Sequence, residues 1–167
     1  MLIRALSPIH DRDLVDAFFH FSADYIRLER DEDPSPLVTD AFFTESPPGC
    51  DPATGLRLGL FNPGAVDPGL VAIAELAFGY PTATDAYLGL LLVAPSARGA
   101  GMGTVLLRHL EQVGRGRGMQ NLYISVLEAN PRARAFWQRE GFSIALANQP
   151  ITLGAKTQLT HRMGKSL

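Results

Sequence analysis

Apolar positions recur along the chain at two different spacings, and the switches between them lay out its elements. Met1 to Leu6 reads as a short edge strand, broken by Ser7-Pro8. Leu14, Phe18, Phe21 and Tyr25 then fall at i, i+4, i+7 and i+11, the face of one helix, with Asp11 and Asp13 at the end its dipole favours. A second helix is expected over Pro36–Phe43, starting after Ser35. Residues 44–55, TESPPGCDPATG, carry three prolines and two glycines and read as loop. Leu56–Phe61 and Leu70–Phe78 are dense apolar runs of strand length, joined by the turn-rich stretch Asn62–Gly69. Tyr80–Asp85 turns into a third such run, Ala86–Val93, which completes an antiparallel meander.

After Val93 the period changes again. Val105, Leu106, Leu110 and Val113 share one helical face, with Arg108, His109 and Glu111 expected outward and Gly114–Gly118 as the stop. Leu122–Leu127 alternates as a strand does. Asn130 followed by Pro131 reads as an N-cap and first helical residue, and Ala133, Phe136 and Trp137 lie on one face of that helix, ended by Gly141-Phe142. Residues 143–163 are expected to form two closing strands joined around Gln149–Ala155. The fold class that follows is α/β, a mixed sheet of six to seven strands flanked by about four helices, in one domain spanning residues 1–167.

Composition narrows the function classes. Net charge is only −2, which argues against a non-specific nucleic-acid binder. The distribution is uneven: Asp11–Asp33 holds eight acidic residues and three arginines, a balance of −5, and Arg98–Glu140 holds seven arginines and three glutamates, a balance of +4. Such a split suits a protein that takes an anionic ligand at one end. The single cysteine, Cys50, excludes an internal disulfide and fits a reducing compartment. Neither a membrane-length apolar run nor a signal segment is seen, so the expected location is the cytoplasm, with no membrane or nucleic-acid partner. The four histidines, His10, His20, His109 and His161, lack ligand spacing, and no metal is expected. The oligomeric state is not set by these features, and a homodimer is among the states left open.

The chemistry is concentrated in VAPSARGAGMGT, Val93 to Thr104, between the apolar strand and the amphipathic helix. Gly99, Gly101 and Gly103 let the backbone approach a ligand, and the first helical turn adds unpaired N–H groups and the positive end of a dipole. Arg98 adds a cation at the entrance. A phosphate or pyrophosphate is the expected guest. No lysine follows a glycine as a Walker A loop needs, and Thr104 stands where the dinucleotide fingerprint needs its third glycine. What remains is R-x-x-G-x-G over Arg98–Gly103, preceded by Val93-Ala94-Pro95. Downstream, Asn130 to Phe142 reads N-x-x-A-x-x-F-W-x-x-x-G-F.

These two motifs, in this order, resemble those of the GNAT family of N-acetyltransferases, in the subgroup with F-W-x-x-x-G-F; the resemblance covers Tyr87–Phe142. It implies a GNAT-like acyl-CoA N-acyltransferase fold, with acetyl-CoA entering where two central strands separate. By that resemblance Leu92 and Val93 offer backbone groups to the pantetheine arm. Arg98, Gly99, Ala100, Gly101, Met102, Gly103 and Thr104 cradle the pyrophosphate, and Asn130, Ala133, Phe136 and Trp137 line the cofactor from the second motif. The implied activity is acetyl transfer from acetyl-CoA to a primary amine, of a small molecule or of a protein. The rivals are a non-catalytic acyl-CoA-binding regulatory domain and an O-acyl or antibiotic-modifying enzyme on the same scaffold.

An amine with a pKa near ~10 must lose a proton before it attacks a thioester, and the thiolate must be helped away. Many relatives place a tyrosine where this chain has Trp137, and an indole N–H is no practical acid. Tyr123 is the candidate acid in its place. Relatives often place a glutamate early on the central strand, where Tyr87 and Gly89 stand here, so Glu75 on the preceding strand is the candidate base.

Overall fold

The computed structural model describes residues 1–63 and 69–167, so most of the turn expected over Asn62–Gly69 lies outside the described residues. Seven strands form one sheet: β1 (Leu2–Ala5), β2 (Leu56–Phe61), β3 (Leu70–Phe78), β4 (Asp85–Val93), β5 (Asn121–Leu127), β6 (Ser143–Leu153) and β7 (Lys156–Ser166). Their order is β1-β2-β3-β4-β5-β7-β6. The first four form the antiparallel meander that the apolar runs announce. Only β4 and β5 run parallel, and they pair only from Asp85–Leu88 against Asn121–Ile124. Beyond that point the two strands part. Among the described residues no strand lies beside the β4 edge from Gly89 to Val93 on the β5 side, and its backbone groups, apart from the Val93 carbonyl taken by Arg98, are left for another partner.

Five α-helices are described, one more than the apolar spacing indicates: α1 (Arg12–Phe21), α2 (Ala23–Arg30), α3 (Pro36–Thr44), α4 (Met102–Gly116) and α5 (Pro131–Arg139). The extra one arises at Ser22, whose non-helical backbone interrupts the expected helix and separates α1 from α2. The buried stripe also sits one position round from the expected face. It runs through Val15, Phe18, Phe19, Ser22 and Ile26, and Phe21 is exposed. The shift follows from where the sheet lies: α1–α3 cover one sheet face around Leu70, Ile73 and Leu92, and their apolar side must meet it. On the other face α4 and α5 cover Leu76, Leu88, Leu122, Ile124, Val126 and Met163.

One further expectation changes for a packing reason. Glu111 is not outward but buried, and its charge is met by Lys165 Nζ at 2.6 Å and Arg108 Nη1 at 3.0 Å. The helix α4 ends at Gly116, within the expected stop Gly114–Gly118, and a side chain at Gly114 would press on Leu167. The closing hairpin turns at Gly154-Ala155, at the end of the expected connection. Its β7 strand is tied to the end of α2, with Gln158 Nε2 donating to Glu29 O at 2.8 Å and Lys156 Nζ to Leu28 O at 3.1 Å. That tie sets α2 as a wall beside the parted strands.

Candidate active site

The parting of β4 from β5 opens a cleft of about 680 Å³ between α2, the glycine loop, α4 and α5. One half of it is made of backbone. Gly99 and Gly101 have φ of +81° and +78°, a left-handed geometry that side chains resist, and a Cβ at either position would meet open space. Gly101 is also the N-cap of α4, which has no side-chain cap and no acidic residue in its first turn. The N–H groups of Met102, Gly103 and Thr104 therefore have no intrahelical acceptor and face a positive dipole end. An anionic group is what this turn is built to receive.

Asn130 caps α5 as expected, its Oδ1 accepting from Ala133 N at 3.1 Å, and both residues line the cleft. Phe136 lines it too and packs against Gly103, where an added Cβ would sit 3.3 Å from the ring. Arg132 and Arg139, adjacent on the lip of α5, bring positive charge that the motif reading had not assigned. Trp137 is mostly core: it is 7% exposed and wedged between Phe136 and Phe142, with ring centroids 4.9 and 5.1 Å away. Leu92 is likewise buried in its side chain and meets the cleft along its backbone, beside Val93.

Two loop residues are placed differently from their expected roles. Arg98 is not a free cation at the entrance. Its guanidinium is clamped bidentately by Asp24 of α2, its Nε donates to Val93 O at 3.0 Å, and the Asp24 carboxyl is held below the usual carboxylate range by that hydrogen bond. Arg98 thus fastens α2 to the glycine loop. Thr104 spends its hydroxyl on Glu140 Oε1 at 2.8 Å, so only its backbone N–H is offered. Ala100 is exposed at the tip of the loop.

The other half of the site is made of side chains. The β3–β4 register slips between Glu75 and Leu76, so that Gly89 is an extra residue bulged toward the cleft. A Cβ on Gly89 would lie 3.3 Å from the Glu75 carboxyl group, which places that carboxyl directly behind the cleft wall. Burial pushes the Glu75 pKa up to about 7; Arg57, 3.3 Å away, pulls it down, and Glu45 adds to the rise. Arg57 is itself held by the Phe42 carbonyl at 2.7 Å, which keeps the cation in place beneath Glu75.

Tyr87, which pattern reading passed over, projects on the same sheet face and lies beside Ser125, a residue of the cleft. Ser125 Oγ lies 2.7 Å from Thr160 Oγ1, and Thr160 donates onward to Val126 O at 3.0 Å. Because Thr160 has used its proton, Ser125 donates to it. Burial raises the Tyr87 pKa and keeps the phenol protonated, with the Ser125 contact opposing. Tyr123 is not brought to the cleft. Its ring lies over Gly164 and lines a separate shallow depression with Asn121, Ser143 and Lys165. A strand signal cannot separate Tyr87 from Tyr123, because the two stand opposite each other in register on one face.

Residues 24–142 match the model of the acetyltransferase (GNAT) family. Streptothricin acetyltransferase of Streptomyces lavendulae is 32% identical over 75 residues, a match covering 45% of this chain and 40% of that protein. Among solved structures, an acetyltransferase from Thermus thermophilus aligns over 100% of this chain and 98% of its own, with 27% identity and a TM-score of 0.68. The GNAT domain of S. lividans PAT shares the fold at a TM-score of 0.72, with 18% identity over 99% of this chain and 89% of its own.

Proposed function

This chain belongs to the acetyltransferase (GNAT) family, and from that premise we propose that it transfers an acetyl group from acetyl-CoA to a primary amine. The observation that carries the reading is the joining of two half-sites at one point. The unpaired β4 edge and uncapped α4 turn supply backbone for a phosphate-bearing thioester, and a buried carboxyl sits behind Gly89 where the strands part. The residues fit acetyl-CoA: open space at Gly99 and Gly101 admits a pyrophosphate, Asn130 and Phe136 border the arm, and Arg132 and Arg139 suit its outer phosphate. When bound, acetyl-CoA supplies the activated acyl carbon and a sulfur leaving group.

Within the chain, Glu75 is the general base. Its carboxylate takes the ammonium proton of the acceptor, and a pKa of about 7 lets it do so near neutral pH and later release the proton. Tyr87, whose phenol burial keeps protonated beside Ser125, takes the acid role considered for Tyr123. Arg57 holds Glu75 against Gly89. Purified protein incubated with acetyl-CoA and an amine panel that includes streptothricin, the substrate in its relative's name, tests the reading by release of free thiol. Acetyl-CoA at ~100-fold excess over Kd should also raise stability by about 2.7 kcal/mol. Cofactor binding without turnover on any amine would favour the regulatory acyl-CoA-binding alternative.

A further inference from the structure

Most arginines of the described residues are paired with a carboxylate: Arg4 with Asp11, Arg12 with Asp40, Arg27 with Asp33, Arg30 with Glu29, Arg57 with Glu75, Arg98 with Asp24, Arg108 with Glu140 and Arg115 with Glu111. Arg162 is not. It stands on β7 opposite Ser125, and strand alternation puts it on the sheet face that carries Tyr87 and Glu75. Among the described residues it is the arginine of that face with no acidic partner. Arg132, Arg134 and Arg139 belong to α5 on the other side, and Arg117 lies over the Phe78 ring at the end of α4.

The side chain is nonetheless held in place. Arg162 Nη2 donates to Tyr80 Oη at 2.7 Å, and its guanidinium carbon lies 5.2 Å from the Tyr80 ring centroid. Tyr80 in turn meets Tyr87 edge-on, with centroids 5.2 Å apart and planes at 85°. A guanidinium held by a neutral hydroxyl and an aromatic face is positioned but not neutralised. One of its five N–H donors is used, and the rest of the planar fork stays available for a bidentate acceptor. The charge is also near the chemistry: Arg162 lowers the Tyr87 pKa through space while Glu75 raises it, so the cation and the base flank the same phenol. Three inter-strand steps, about 14 Å, separate the axes of β3 and β7, and the two side chains form no ion pair across Tyr87.

Resting on the acetyl-transfer reading, we infer that the acceptor is an amine that also carries a carboxylate, its nitrogen directed to Glu75 and its carboxylate clamped by Arg162. An amino acid or short amino carboxylate is the class. Tyr80 is the positioning residue that presents the clamp.

The experiment uses matched pairs that differ only by the carboxylate: lysine with cadaverine, phenylalanine with phenethylamine, and β-alanine with ethylamine. Acetyl-CoA turnover is followed for the wild type, Arg162→Gln and Arg162→Lys. The wild type should favour the carboxylated member of at least one pair by about 10- to 100-fold in kcat/KM, carried mainly by KM, as a charge-assisted fork contributes. Arg162→Gln should bring that ratio close to one, and Arg162→Lys should restore part of it. A wild type that prefers the decarboxylated amines, or an Arg162→Gln variant that keeps the ratio, overturns the inference. If no pair turns over while acetyl-CoA binds, the transferase reading fails on its own account. Calorimetry of the same amino acids on acetyl-CoA-saturated protein then decides the clamp. Carboxylate-dependent binding lost in Arg162→Gln upholds it, and equal binding to both proteins overturns it.

Discussion

The two halves of the cleft are built on opposite plans. The loop side, Val93 to Thr104, is contiguous in the chain and offers backbone N–H groups at a helix end. The β3–β7 side is assembled from Glu75, Tyr87, Ser125, Thr160 and Arg162, which come from four strands and act through side chains. A backbone site suits a ligand whose phosphates are always the same, because any residue that keeps the turn keeps the site. A side-chain site can change its guest one residue at a time while the fold stays. On the proposed reading the difference teaches where specificity is written: the donor is read by local geometry and the acceptor by tertiary assembly.

That division can be broken most sharply at Glu75. Glu75→Gln should lower turnover by about 10²- to 10⁴-fold while acetyl-CoA affinity measured by calorimetry stays put. In the wild type the rate should climb with pH through about 7, where the carboxyl ionises, and the variant should lose that limb. Gly101→Val is the opposite probe. A β-branched side chain at φ +78° strains the turn and intrudes on the anion site, so acetyl-CoA affinity should drop about 100-fold, with a loss of only about 1–3 kcal/mol in stability. Equal damage to turnover-specific steps and to binding in both variants would erase the distinction between the halves.

The same carboxyl gives a stability test. Its folded pKa is raised from 4.5 to about 7, so the native state binds its proton more tightly than the unfolded chain does. The wild type therefore loses stability as pH rises from 4.5 through about 7, by about 3 kcal/mol when the change is complete. Denaturant melts of Glu75→Gln against wild type should move in the variant's favour between pH 5 and pH 8. A constant difference would mean that Arg57 fully compensates the charge.

Smaller effects separate the two tyrosines. Tyr87→Phe should cut turnover about tenfold, a modest loss because a thiol near pKa ~8.5 needs less help than an alkoxide, and Tyr123→Phe should change it less than twofold. The reverse order would return the acid role to Tyr123. Smallest of all, Trp137→Tyr should shift acetyl-CoA affinity by no more than a few fold, because the ring is packed between Phe136 and Phe142. A large loss would show that the indole carries part of the cofactor site.

What the chain states by itself is what its neighbours in sequence can enforce. The three meander strands, the glycine turn after Val93, the Asn130 cap with Pro131 behind it and the Gly141-Phe142 ending all rest on contacts a few residues long, and all are present. The resemblance over Tyr87–Phe142 falls in that same local register, where two motifs can be read as strings. Contacts between distant segments left no such trace. That Arg98 would be bound by Asp24, that Glu111 would be buried between Arg108 and Lys165, and that Tyr87 rather than Tyr123 would meet Ser125 are decided when α2, β5 and β7 come together. Periodicity assigns a side chain to a face but not to a partner. On this sheet one face holds a packed core, the proposed base and an arginine with no acidic partner, and the pairing order β4-β5-β7 tells them apart.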